Sequence, residues 1–209
     1  MKKNIYSFIS IFGIGFVMGF AYMGNVHAAD TATILKDCAA CHGNNGASLN
    51  SGIPIIGGFS SIYMIDTAEA YKNKKRPCKE VEYPAGSGKT GTTDMCKIFN
   101  SLTDDEIADV AEYLEEQPFV SAKQEFDATQ VTKGAAVHNK YCERCHSENG
   151  SYADDDSGIL AGQWRLYLEE TFNQFTNKTR PMTRSMTKKY NKVSAEDLEA
   201  LINFYTSLQ

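Results

Sequence analysis

The sequence has no excess of basic residues, little proline and few cysteines, and each shortage excludes a class. Its 21 Lys and Arg stand against 26 Asp and Glu, a formal charge of −5. That balance lacks the electrostatic footprint of a nucleic-acid binder. Only 5 prolines accompany an aromatic share of 11%, a composition unlike that of a disordered chain. Six cysteines in 209 residues are too few for a disulfide-built miniprotein. No segment shows the convincing apolar–polar alternation of a half-buried strand. Histidine is scarce as well: His27, His42, His138 and His146 are the four present, and two of them directly follow a cysteine pair. The length admits one large domain or two small ones.

What is present begins with a basic start, Met1-Lys2-Lys3, followed by an apolar run from Ile5 to about Met23 and the small-residue stretch Val26-His27-Ala28-Ala29. This order predicts a cleaved secretory leader over residues 1–29 rather than a membrane anchor. Cleavage leaves about 180 residues with no stable membrane insertion, in a periplasmic compartment that permits disulfides.

The remainder is an internal repeat. Cys38-Ala39-Ala40-Cys41-His42 and Cys142-Glu143-Arg144-Cys145-His146 lie 104 residues apart. The same offset carries Gly58 to Gly162, Tyr63 to Tyr167, Asn73 to Asn177 and Arg76-Pro77 to Arg180-Pro181. The register then breaks and resumes at Leu102–Ile107 against Val193–Leu198, offset by 91, so the first copy carries thirteen extra residues that include the turn-rich Pro84-Ala85-Gly86-Ser87-Gly88. Thr103 and Ser194 read as N-caps of matching helices, with Ile107, Val110, Ala111 and Leu114 on one apolar face and Leu198, Leu201, Ile202 and Tyr205 on the other. The expectation is an all-α chain of two tandem domains, 30–118 and 131–209, joined by a linker over 119–130.

CxxCH is the motif of covalent c-type haem attachment. Two thiols one turn apart match the spacing of the haem vinyl groups, and the adjoining histidine is carried beneath the iron. A redox dithiol would need a βαβ setting, and zinc would need both cysteine pairs to converge on one ion. The reading is therefore two covalently bound haem c groups, attached at Cys38 and Cys41 and at Cys142 and Cys145, with His42 and His146 as iron ligands. A carbonyl usually fixes the ring of such a histidine, and Pro54 and Gly158 stand twelve residues past each. Methionine is the expected sixth ligand. Met95 and Met186 lie equally far before Leu102 and Val193, which selects them, with Met182 in reserve. Cys78 and Cys96 flank the insertion and are expected to pair. Tyr63, Tyr167, Arg76 and Arg180 could bond haem propionates or be ordinary tyrosines and surface arginines.

These residues resemble a known family, the dihaem cytochromes of the cytochrome c4 type. More narrowly they are similar to the cytochrome subunit of flavocytochrome c sulfide dehydrogenase. The runs that carry the likeness are Ala122–Asp127, Lys140–His146, Ile159–Trp164 and Arg180-Pro181-Met182 with Met186. The resemblance implies two class I cytochrome c folds related by pseudo-twofold symmetry, and a FAD-containing, sulfide-oxidising subunit or other redox protein as partner. It implies electron transfer without catalysis by this chain. The alternatives are a free cytochrome c4-like carrier to a terminal oxidase, or a dihaem enzyme such as a thiosulfate dehydrogenase or peroxidase, which would need an open iron site. The insertion with Cys78 and Cys96 departs from the sulfide-dehydrogenase subunit.

Overall fold

The computed structural model describes residues 26–85 and 87–209. Of the leader read over 1–29, residues 1–25 lie outside the described residues, and 26–29 form the start of the first helix. Among the described residues no helix is long and apolar enough to cross a membrane.

Each repeat builds a small helical unit. In the first, α1 (Val26–His42) ends on the first cysteine-histidine motif, α2 (Ser61–Lys72) follows, and α3 (Met95–Asn100) and α4 (Asp104–Glu115) close the unit. In the second, α5 (Ala128–Tyr141), the short α6 (Ser147–Gly150), α7 (Arg165–Thr176), α8 (Arg184–Tyr190) and α9 (Ala195–Ser207) repeat the order. The predicted caps form as capping boxes. Thr103 accepts the Glu106 N–H while the Glu106 carboxylate accepts the Thr103 N–H, and Ser194 and Asp197 do the same. Behind the first cap, Ile107, Val110, Ala111 and Leu114 are all buried. Behind the second, Leu201, Ile202 and Tyr205 join Val137, Leu168, Phe172, Phe175 and Phe204 in one core cluster, with Leu198 at its edge.

The all-helical expectation holds for both units, while the insertion, read in the sequence as a surface loop, carries the one short sheet among the described residues. It folds as a hairpin, β1 (Val81–Glu82) against β2 (Thr92–Thr93), antiparallel with Val81 opposite Thr93. Two residues per strand are too few for alternation to register in the sequence. A disulfide joins Cys78 to Cys96 and draws the two ends of the hairpin together. Lys89 pairs with Asp37 at 2.6 Å and ties the hairpin to α1.

The two units meet through reciprocal contacts. Arg76 donates to the Tyr167 hydroxyl at 3.3 Å, and Arg180 donates to Tyr63 at 3.5 Å. Because Arg76 and Tyr63 are the repeat mates of Arg180 and Tyr167, each copy gives the other what it receives, as expected of a twofold-related pair. Each arginine also stacks on its own unit's aromatic ring, Arg76 over Tyr71 at 4.6 Å and Arg180 over Phe175 at 4.8 Å. Gly158 lets the units close, since a Cβ there would stand 2.7 Å from the Tyr63 hydroxyl.

Candidate haem sites

In the first unit Cys38 and Cys41 stand one turn apart on α1, and His42 is its last residue. Helical spacing thus sets both sulfurs on one face and turns the histidine inward, where it is 8% exposed. Its Nδ1 lies 2.9 Å from the Pro54 carbonyl, the group the sequence nominated. That bond leaves Nε2 free to face a metal. Burial holds the His42 ring below its ordinary pKa, opposed by the Pro54 carbonyl, so the neutral imidazole a metal requires is favoured.

The second unit reaches the same end differently. Here α5 stops at Tyr141, and Cys142 to His146 form hydrogen-bonded turns in which the Cys145 and His146 N–H groups both donate to the Cys142 carbonyl. His146 is also held below its ordinary pKa, by burial first and by His138 second. The Gly158 backbone favours the protonated ring, but unlike His42 on Pro54, His146 Nδ1 has no hydrogen-bond partner among the described residues.

None of the four motif cysteines takes part in a disulfide. Burial pushes Cys38 up to about 11 and raises Cys41 and Cys142 as well. Among the described residues the one cluster of three candidate metal ligands is Cys78, Asp94 and Cys96, and its two sulfurs are committed to the disulfide. The cysteine pairs of the two motifs do not converge on each other, as zinc would require.

The predicted sixth ligands sit at the starts of matching helices. Met95 opens α3, beside Cys96 and behind the buried N-cap Asp94, whose carboxylate accepts the Lys97 N–H at 2.9 Å. Met186 is the third residue of α8, and its N–H donates to the N-cap Thr183. Met95 and Met186 each stand eight residues before the N-cap of the last helix in their unit, Thr103 and Ser194. Met182 and Met186 are both half-buried against the same core that Cys142 touches, so packing alone does not choose between them.

The buried polar side-chain atoms without a hydrogen-bond partner among the described residues are Arg76 Nε, Arg180 Nη1 and His146 Nδ1. Arg76 is 6% exposed and has no carboxylate partner among them. Two guanidinium groups with spare buried donors at the junction of the units fit the propionates of a haem, which would supply acceptors the protein does not. The two arginines also outweigh the burial of Tyr167 and bring its phenol down to about 8. The residues present therefore fit two covalently held haems.

Two features escaped the sequence reading. His138 is fully buried, with Nδ1 2.9 Å from the Tyr205 hydroxyl and Nε2 2.5 Å from Glu143 in the second motif. Gln163 is fully buried at the junction of the units. His138 had only the signal of having no mate in the first repeat, and Gln163 that its mate is Phe59.

Comparison with known proteins accords with this geometry. The cytochrome c family matches residues 28–118, and the family described as cytochrome c oxidase, cbb3-type, subunit III matches residues 129–204. The chain is 25% identical to cytochrome c4 of Pseudomonas aeruginosa over 100% of both chains. It is 26% identical to cytochrome c4 of Azotobacter vinelandii over 88% of this chain and 92% of that one. The crystal structure of reduced recombinant cytochrome c4 from Pseudomonas stutzeri superposes with a TM-score of 0.68 at 23% identity, covering 87% of this chain and 98% of that chain.

Proposed function

Because the chain is a tandem of two cytochrome c domains homologous to cytochrome c4, we propose that it is a periplasmic dihaem electron carrier, passing electrons between redox proteins and on to a terminal oxidase. The observation that carries this reading is the pairing of each CxxCH motif with an inward-turned histidine in both units. When bound, each haem supplies a one-electron ferric–ferrous couple. The chain's own residues attach, orient and seal it. Cys38 with Cys41 and Cys142 with Cys145 provide the thioether sulfurs. His42 and His146 would hold the iron through an imidazole nitrogen, and Met95 and Met186 through a thioether sulfur. A methionine ligand at each iron would leave no open position for a substrate, which suits a carrier rather than an enzyme.

The test is the intact mass of the protein purified from an exported preparation. It should exceed the leader-cleaved polypeptide by two haems, and haem staining should survive denaturation. One haem, or none, overturns the reading.

A narrower reading makes the chain the haem subunit that takes electrons from a FAD-containing, sulfide-oxidising flavoprotein. The run Ala161-Gly162-Gln163-Trp164 favours it, since this stretch carries the likeness to that subunit and lies at the junction of the units. Copurification of a flavoprotein that reduces this chain with sulfide supports it. Isolation as a single free polypeptide whose reduction is independent of any such protein rejects it.

A further inference from the structure

We infer that Gln163, a residue of the second domain, is a positioning residue for His42 in the first, and so sets the reduction potential of one haem without touching the other. The inference rests on the haem reading above.

The geometry runs through one peptide group. Gln163 Oε1 accepts the Ile55 N–H at 2.9 Å, and Gln163 Nε2 donates to the Ile55 carbonyl at 2.9 Å. Gln163 is 0% and Ile55 1% exposed, so both bonds lie away from water. The Ile55 N–H belongs to the same planar unit as the Pro54 carbonyl. That carbonyl is the partner of His42 Nδ1 at 2.9 Å. The arrangement is therefore a chain of two hydrogen bonds through a rigid plane: His42 Nδ1–H to the Pro54 carbonyl, then Ile55 N–H to Gln163 Oε1. Fixing one edge of the plane fixes the other. Consecutive hydrogen bonds of this kind polarise one another in a low-dielectric interior. A carbonyl so polarised draws more strongly on the imidazole N–H and makes the ring a more basic ligand.

The amide orientation is determined by its neighbours. Oε1 also accepts the Trp164 N–H at 3.1 Å, and Nε2 faces a carbonyl, so the reversed amide would lose all three bonds. The backbone of Gln163 is held as well, its carbonyl accepting from Gln124 at 2.8 Å. The second domain has no counterpart. There the matching peptide is Gly158–Ile159, the mate of Gln163 is Phe59, and His146 Nδ1 has no full hydrogen bond. Two otherwise repeated sites thus differ in the outer partner of the proximal histidine. A more basic imidazole favours ferric iron, so Gln163 lowers the potential of the first haem relative to a site without it.

The experiment uses the full dihaem protein with Gln163→Met, which keeps the volume and removes both polar arms. Potentials are measured for each haem separately, and the ferrous protein is examined by NMR for exchange of the two proximal Nδ1–H protons. Outer partners of metal-bound histidines change metal-site properties by about 10- to 100-fold. The expected result is a ferric–ferrous equilibrium at the first haem shifted about tenfold toward ferrous, an upward shift of about 59 mV for one electron. Faster exchange at His42 Nδ1 and an unchanged second haem should accompany it. Trp164→Phe serves as the control. It removes a different bond between the domains, from Trp164 Nε1 to the Ser48 carbonyl at 3.0 Å, and should leave both potentials in place.

An unshifted first haem in the Gln163→Met protein overturns the inference. So does an equal shift of both haems, or the same shift in the Trp164→Phe control, because each would mean that loosened packing and not the peptide plane is at work. If Gln163→Met does not fold, Gln163→Glu keeps an acceptor for the Ile55 N–H. It should slow exchange at His42 Nδ1, whereas unchanged or faster exchange overturns the inference. Absence of covalent haem in the wild-type protein would instead sink the functional reading, so the two failures are distinguishable.

Discussion

At the scale of single residues, the groups with the fewest alternatives are those that hold a ring or a sulfur in place. Replacing Met186 with alanine should remove about half of the weak thioether-to-iron charge-transfer absorption of the ferric protein, open one iron to added ligands and lower that haem's potential, because methionine ligation raises it. Met182→Ala should leave the absorption intact. The opposite pattern would move the second ligand one turn earlier and break the repeat register at this point. Glu143 tests a different residue-level claim. His138 fills one side of its carboxylate, and the Nε2–H tautomer satisfies both ring nitrogens, donating to Glu143 and accepting from Tyr205. The hydrogen bond from His138, ahead of the backbone N–H groups of Asn149 and Glu148, holds the Glu143 carboxyl below its usual range. A depressed carboxyl contributes stability above its unfolded pKa and loses it as pH falls through the lower folded value. Denaturant midpoints of Glu143→Gln should therefore fall below wild type at neutral pH, with the gap closing in acid; a gap that stays constant to low pH would contradict the assignment. The four motif cysteines, His42, His146 and Pro54 were legible in the sequence because motif and spacing alone specify them. Gln163 and His138 were not, because each acts through a partner far along the chain, 108 residues away for the Gln163–Ile55 pair and 67 for His138–Tyr205.

At the scale of elements, the helices were readable and the hairpin was not. The α4 and α9 faces follow the 3.6-residue period and carry their own caps, so local sequence suffices. The hairpin between Cys78 and Cys96 is made by closure. Its pairing is set by the disulfide and by the Lys89–Asp37 ion pair, and neither has a periodicity to read. A double Cys78→Ala, Cys96→Ala variant releases a loop whose ends are 18 residues apart, worth about 3 kcal/mol in the chain-entropy model. Because Met95 adjoins Cys96, the same variant should weaken the first domain's thioether absorption as well as its stability. Full retention of both in the doubly substituted protein would separate the bridge from the ligand. The crossing of α5 and α9 offers a second test. A Cβ on Gly134 would stand 2.1 Å from the Ala200 carbonyl and 2.6 Å from Phe204 Cβ. Overpacking of this kind costs about 1–3 kcal/mol, so Gly134→Ala should lower the thermal midpoint of the second domain. An unchanged midpoint would mean that the two helices can separate at no cost.

At the scale of the whole molecule, the reciprocal Arg–Tyr exchange turns two small units into one body. A domain of this size has a small core of its own, and the junction adds the buried Arg76, Ile55 and Gln163, with Tyr167 half-buried beside Arg76. Arg76 and Arg180 act on the same surface, since both bear on Tyr167 and bring it down to about 8 against its burial. Hydrogen bonds to charged groups contribute about 1.5–3 kcal/mol each. Arg76→Met and Arg180→Met should each lower stability by an amount in that range, and each should move the Tyr167 phenol back up. Charges that share one buried site do not add, and coupling energies between such neighbours run to about 0.5–3 kcal/mol. The double variant should therefore lose measurably less, or more, than the sum of the single losses. It should also split the unfolding of the two domains into separate transitions when each is followed by its own haem absorption. Sodium chloride should change none of these differences appreciably, because a pair this deeply placed is poorly screened by salt. Strict additivity in the double-mutant cycle, with a single shared transition retained, would show that the arginines serve their own domains and that something other than their exchange holds the two units together.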